Sequence, residues 1–149
     1  MPFEAQDPEY ERRVRESLAK QSYMAKLGVK LVRISPGEVH LSLPVRDDLL
    51  QQHDNVHAGV LASAMDSAAG YAAFTLMPAG SGVVSVEFKV NLLEPARGDY
   101  LVARGRVLRP GRTLFACVSE AWAYAGERET LVALLQGTMM CLVGRGLSG

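Results

Sequence analysis

Two features of this chain could do chemistry, and both lie on one segment. Between Ala58 and Val86 the only formally charged side chain is Asp66, at the centre of the most apolar stretch. Burying a carboxylate is costly unless donors or a chemical role hold it there. Asp66 is therefore either a structural acceptor, for Ser63, Ser67 or a group across an interface, or a group that handles a water. The second feature is the helix start Asn55-Val56-His57-Ala58-Gly59. A helix N-terminus leaves backbone N–H groups unpaired and carries a partial positive charge, which suits a developing oxyanion. Gly59 would let a ligand come close to the backbone. Gly59 and Asp66 are seven residues apart, about 10 Å along a helix, and the tilt of side chains toward the N-terminus closes that gap only in part. A carbonyl held by the amides and a water held by Asp66 fit more easily if they come from two antiparallel copies of the helix. The spacing predicts a dimer with two sites at its interface.

The elements that must position these groups follow from periodicity. From Pro8 to Leu27, Tyr10, Val14, Leu18 and the Tyr23/Met24 pair recur among Arg, Glu and Lys, the pattern of an amphipathic N-terminal helix. GVKLVRISPGEVHLSLPV alternates on both sides of Ser35-Pro36-Gly37, which reads as a hairpin. A polar loop from Arg46 to Asn55 opens onto the apolar helix, a place where sites are commonly built. After the break at Pro78 to Gly82, Val84, Val86, Phe88 and Val90 are expected on one face of a strand and Ser85, Glu87, Lys89 and Asn91 on the other. Turns around Glu94 to Asp99, Arg109 to Arg112 and Gly126 separate three more strands. Helix, two strands, buried helix and four strands give an α+β fold, an antiparallel sheet of about six strands wrapped around one central helix, with an additional N-terminal helix. The reading is a single domain over 1–149, its N-terminal helix at about 8–27 and its core at about 28–143.

Composition removes several function classes. Sixteen Lys and Arg balance sixteen Asp and Glu, so no long-range field gathers phosphate backbones or anionic lipid, and nucleic acid is not an expected partner. Ala58 to Met77 is long enough to span a bilayer of about 30 Å, but it carries Asp66 and is built from Ala, Ser and Gly; no membrane partner is expected. The N-terminus has no apolar signal region, and Cys117 and Cys141 form no disulfide framework, so the expected location is cytoplasmic. His53, Asp54 and His57 lack a clear further ligand, so neither a metal nor a cofactor is expected.

The stretch His57-Ala58-Gly59 followed by Asp66, then Val84-Ser85-Val86-Glu87-Phe88, Asn91-Leu92-Leu93-Glu94-Pro95-Ala96 and Gly111-Arg112-Thr113-Leu114, resembles the PaaI-type hotdog-fold acyl-CoA thioesterases. The resemblance covers roughly Lys26 to Val143. It implies a hotdog fold, hydrolysis of acyl-CoA thioesters, active sites at a homodimer interface, and often a homotetramer made of two dimers. Carried over by position, Asp66 is the general base or nucleophile, and Ser85 helps to position the attacking water. The Ala58 N–H, with Gly59 beside it, polarises the thioester carbonyl. His57 shapes the helix start and hydrogen-bonds near the carbonyl. The family more usually has Gly where this chain has Ala58. Many members have Asn where this chain has Gln51, which makes the neighbouring amides Gln52 and Asn55 the candidates for substrate binding.

The residues favour that chemistry over other hydrolases. No Gly-x-Ser-x-Gly elbow is present and neither Cys has a nucleophile motif around it. A thioester is activated enough for a carboxylate, a water and an oxyanion site to suffice. Among the arginines clustered from Arg97 to Arg112, Arg109 and Arg112 are candidates for the phosphates of coenzyme A. A hydratase would place a His on the helix shortly after the Asp, where Tyr71 and Ala72 stand. The alternative is a non-catalytic acyl-CoA-binding or regulatory hotdog dimer.

Overall fold

The computed structural model describes residues 2–149. Three α-helices and six strands follow in the order α1 (Tyr10–Ala19), α2 (Ser22–Leu27), β1 (Lys30–Ser35), β2 (Glu38–Pro44), α3 (Ala58–Phe74), β3 (Gly82–Leu92), β4 (Tyr100–Arg109), β5 (Leu114–Ala125) and β6 (Arg128–Leu142), with a 3-10 turn at Asp47–Leu49. The strands form one antiparallel sheet in the order β1-β2-β4-β5-β6-β3. Its concave face wraps α3, as the alternation of the strands and the apolar helix imply. Among the described residues no helix is long and apolar enough to cross a membrane.

The Ala and Gly content of α3 has a packing reason. Ala64, Ala68, Ala69, Ala72 and Ala73 are at most 2% exposed, and a Cβ on Gly105 of β4 would lie 2.3 Å from the Ala68 carbonyl. Small residues on both sides let helix and sheet backbones approach closely. Larger side chains, Leu41, Leu43, Phe74, Phe115, Leu135 and Met139, fill the remaining space around the helix.

Two expectations are corrected. The N-terminal helix is two helices, because Gln21 leaves helical geometry (φ −81°, ψ 94°) and turns its side chain to Tyr71 of α3. α2 then stops at Gly28, whose φ of 76° is the left-handed conformation glycine adopts freely. The N-terminal segment is locked by Arg13. Its guanidinium donates to Asp7 Oδ2 at 3.0 Å and to the carbonyls of Met77 and Ser81, and stacks 4.4 Å from the centre of the Phe74 ring.

The second correction concerns β3. A β-bulge lies between Ser85 and Glu87: Ser85 pairs with Met139, yet Glu87 pairs with Thr138 and Phe88 with Gly137. The inserted residue reverses the alternation. Val83 and Ser85 face the helix before the bulge, and Phe88, Val90 and Leu92 face it after. Val84, Glu87, Lys89 and Asn91 lie on the outer face. β3 is also a sheet edge, with Val86, Phe88 and Leu92 exposed.

Candidate active site

The carboxylate comes from the middle of α3 and its partner from the edge strand. Ser85 Oγ donates to Asp66 Oδ1 at 2.6 Å, a contact that exists because the bulge leaves Ser85 on the concave face. Ser85 Oγ also touches Met139 Sδ at 3.3 Å. No ion pair to Asp66 exists among the described residues. Burial holds its carboxyl above the usual carboxylate range, and the Ser85 hydrogen bond opposes that rise in part. Ser63 and Ser67, the nearer candidates in sequence, do not bond it. Ser63 instead donates to the Gly59 carbonyl at 2.7 Å, while Ser67 lines the cavity onto which Asp66 opens. That cavity, about 480 Å³, is also bounded by Tyr71, Val83 and the segment Gly146 to Gly149.

The start of α3 builds a second cavity. His57 is the N-cap residue, and its Nδ1 accepts from the Gly59 N–H at 2.8 Å. For Nδ1 to accept, the neutral ring carries its proton on Nε2. The N–H groups of Val60 and Leu61 reach the His57 carbonyl. With Gly59 capped, the Ala58 N–H is the donor of the first turn left without a protein acceptor among the described residues. It opens on a cavity of about 420 Å³ shared with Gln51, Asn55, Leu92, Leu93 and Pro95.

Each cavity thus holds half of the expected chemistry. Asp66 and Ser85 lie by one end of β3, and His57 and Ala58 lie by the other. Within one chain they are not brought together.

The loop residues divide. Asn55 lines the Ala58 cavity, but its Oδ1 already accepts from Arg97 Nε, a partner the sequence reading missed because it lies 42 residues away. Gln51 lines the same cavity and its amide oxygen accepts from the His53 N–H. Gln52 is exposed and lines neither cavity. Arg109 and Arg112 are exposed at the β4–β5 turn and likewise line neither. Ser17, Gln21 and Tyr71 line the Asp66 cavity and were not legible as site residues, since long-range packing alone brings them there. Among the described residues, no three His, Cys, Asp or Glu side chains are grouped to hold a metal ion.

Comparison with known proteins identifies the family and the fold. The family model of the thioesterase superfamily matches residues 53–130, from the loop before α3 into β6. A thioesterase family protein from Silicibacter pomeroyi is 43% identical and superposes with a TM-score of 0.89, over 91% of this chain and 99% of that one. The E. coli PaaI protein from the phenylacetic acid degradation operon, 21% identical, shares the fold with a TM-score of 0.82 over 94% of this chain and 97% of its own. A protein of Halobacterium salinarum named as a candidate esterase is 34% identical over 93 residues; the match spans 59% of this chain and 61% of that relative's length. The fold is the hotdog fold, and the chain belongs to the thioesterase superfamily.

Proposed function

We propose that this protein hydrolyses acyl-CoA thioesters to the free acid and coenzyme A, using Asp66 of one protomer and the Ala58 N–H of its partner. The observation that carries this reading is the Asp66 carboxylate, opening on a cavity with a single hydroxyl donor for a partner. Ser85 occupies Oδ1, which leaves Oδ2 to take the proton of a water. As that water's oxygen bonds to the thioester carbon, the carbonyl oxygen becomes an oxyanion, for which a free N–H at a helix start is suited. Collapse of the tetrahedral species breaks the C–S bond, and the departing sulfur recovers the proton from Asp66. The His57 Nε2–H adds a second donor near the carbonyl.

An intact site needs the partner. The edge of β3 leaves its backbone groups unpaired and exposes Val86, Phe88 and Leu92, the features of a strand that pairs with another chain. Antiparallel pairing of β3 with its own copy carries the Ser85 end of one strand to the Leu92 end of the other. That operation joins the Asp66 cavity of one protomer to the Ala58 cavity of the second. Exposed Val32 and Tyr100 on the outer face of the sheet suit contact between two such dimers. The two cysteines are free and buried, in keeping with a reducing cytoplasm. The whole chain then acts as one hotdog domain, with coenzyme A as the leaving group and no cofactor.

The test is release of free coenzyme A from short, medium and long acyl and aryl thioesters by the wild type and by Asp66→Asn. Turnover that collapses in a folded mutant of unchanged assembly state establishes the reading. Binding of acyl-CoA without turnover by the wild type would make the protein a non-catalytic acyl-CoA binder instead.

A further inference from the structure

The cavity that holds Asp66 has a floor that hydrolysis itself does not use. Ser17 of α1, Gln21 of the break between α1 and α2, and Tyr71 of α3 line it together with Asp66 and Gly70. Ser17 and Tyr71 are 9% and 3% exposed. Gln21 Nε2 donates to the Tyr71 hydroxyl at 2.6 Å, and the hydroxyls of Ser17 and Tyr71 are 3.0 Å apart. These two hydroxyls carry two protons and share one hydrogen bond. Whichever of them donates, the proton of the other has no acceptor among the described residues. Gln21 Oε1 likewise accepts from no described residue. The floor therefore offers one O–H donor, from a pair of buried hydroxyls where leaving a donor unpaired is costly, and one amide acceptor on the half-buried Gln21.

Gly70 keeps the way to this floor open. It stands one helical turn beyond Asp66 and is buried, yet a Cβ added there would meet nothing within 4 Å. The space of about 480 Å³ suits an acyl group rather than the phosphates of coenzyme A, for which the walls supply only Lys20 as a cation.

We infer that this floor selects the acyl group, and that the substrate class is a thioester whose acyl chain carries a hydroxyl distal to the carbonyl. A hydroxyl matches both unused partners: it accepts from the leftover O–H and donates to Gln21 Oε1. A plain alkyl end satisfies neither, and a ketone satisfies one. This inference rests on the thioesterase reading of Asp66, and it assigns Tyr71, Ser17 and Gln21 to substrate recognition.

The experiment pairs butanoyl, hexanoyl and octanoyl groups with their ω-hydroxy counterparts, and uses two measurements. Equilibrium binding of the S-alkyl thioethers of coenzyme A, which cannot be hydrolysed, tests the floor. Release of coenzyme A from the matching thioesters tests the hydrolase reading separately. The expected result is that the hydroxylated member of at least one pair binds about tenfold or more tightly. In the double variant Ser17→Ala/Tyr71→Phe, which removes both hydroxyls and with them the leftover O–H, that ratio falls toward one. Equal binding within every pair overturns the inference, whether or not thioesters are turned over. So does a preference that survives both substitutions, or a stronger preference for ω-carboxylate chains, which would assign recognition to Lys20. Absence of turnover with the binding preference intact would defeat the hydrolase reading and leave the recognition site standing.

Discussion

Replacing Ala58 by proline deletes the first-turn N–H that has no acceptor among the described residues, and deletes little else. Ala58 is the first helical residue, a position where proline is pre-organised and no intrahelical bond is lost. The preceding residue, His57, already has φ −58° and ψ 137°, the extended geometry that a residue before proline requires. Folding stability should therefore hold or rise by up to about 1 kcal/mol, since proline restricts the unfolded chain. Activity should not hold. Removing one oxyanion donor typically costs about 10²–10³ in kcat, or about 2.7–4 kcal/mol of transition-state stabilisation. Release of coenzyme A should show that loss in kcat with KM little changed, while Ala58→Gly, which keeps the N–H, stays close to wild type. Mixing Ala58→Pro with Asp66→Asn and allowing subunits to exchange goes further. Half of the dimers are then mixed and each has one intact site, so about a quarter of wild-type activity returns. A folded Ala58→Pro protein with kcat within a few-fold of wild type would refute the oxyanion assignment. No recovery on mixing would refute a site shared between chains.

Asp66→Asn should lose about 10²–10⁴ in kcat, as expected of a general base, with its assembly state intact. Because burial raises the Asp66 value above the ordinary 3.8, the acid limb of the wild-type kcat profile should lie above that pH, activity rising as the carboxylate ionises. The same shift has a stability sign: the protonated form is favoured in the folded state, so wild type should lose stability relative to Asp66→Asn as pH rises from below 3.8 through the raised value, which urea midpoints at a series of pH values would show. Ser85→Ala removes the donor that opposes the rise and should move the acid limb to still higher pH. Arg13→Ala strands the buried Asp7 carboxylate, whose side chain is 7% exposed, and should cost about 3–5 kcal/mol in urea unfolding. Gly105→Ala forces a methyl to 2.3 Å from the Ala68 backbone and should cost about 1–3 kcal/mol, read as a lowered Tm.

Much of the fold was legible because its signals are local. The hairpin around Gly37, the apolar helix and the strands of the large sheet all announce themselves by alternation and by turn residues. The central carboxylate was legible for a related reason: one charge in an apolar run has to be explained. What stayed hidden depends on partners distant in sequence. The break at Gln21 answers to Tyr71, fifty residues on. The bulge at Val86 is fixed by the register of β6, so hydrophobic alternation alone placed Ser85 and Phe88 on opposite faces when they share one. Asn55 looked like a free amide until Arg97 was seen to hold it. Gln52 drew attention by its position in the loop, and the chain turns it outward.

The bulge also divides β3 into two segments that answer to different demands. Upstream, Val83 and Ser85 are in phase with the carboxylate; downstream, Phe88, Val90 and Leu92 are in phase with the helix start and the free edge. A rigid two-residue repeat would tie these together, so that any slip favouring assembly would swing the serine away from the aspartate. With an extra residue between them, the edge can be remodelled residue by residue while the chemistry keeps its aim. Deleting Val86 should therefore do what no substitution along the strand does: restore a regular ladder and force one half of β3 to present its wrong side.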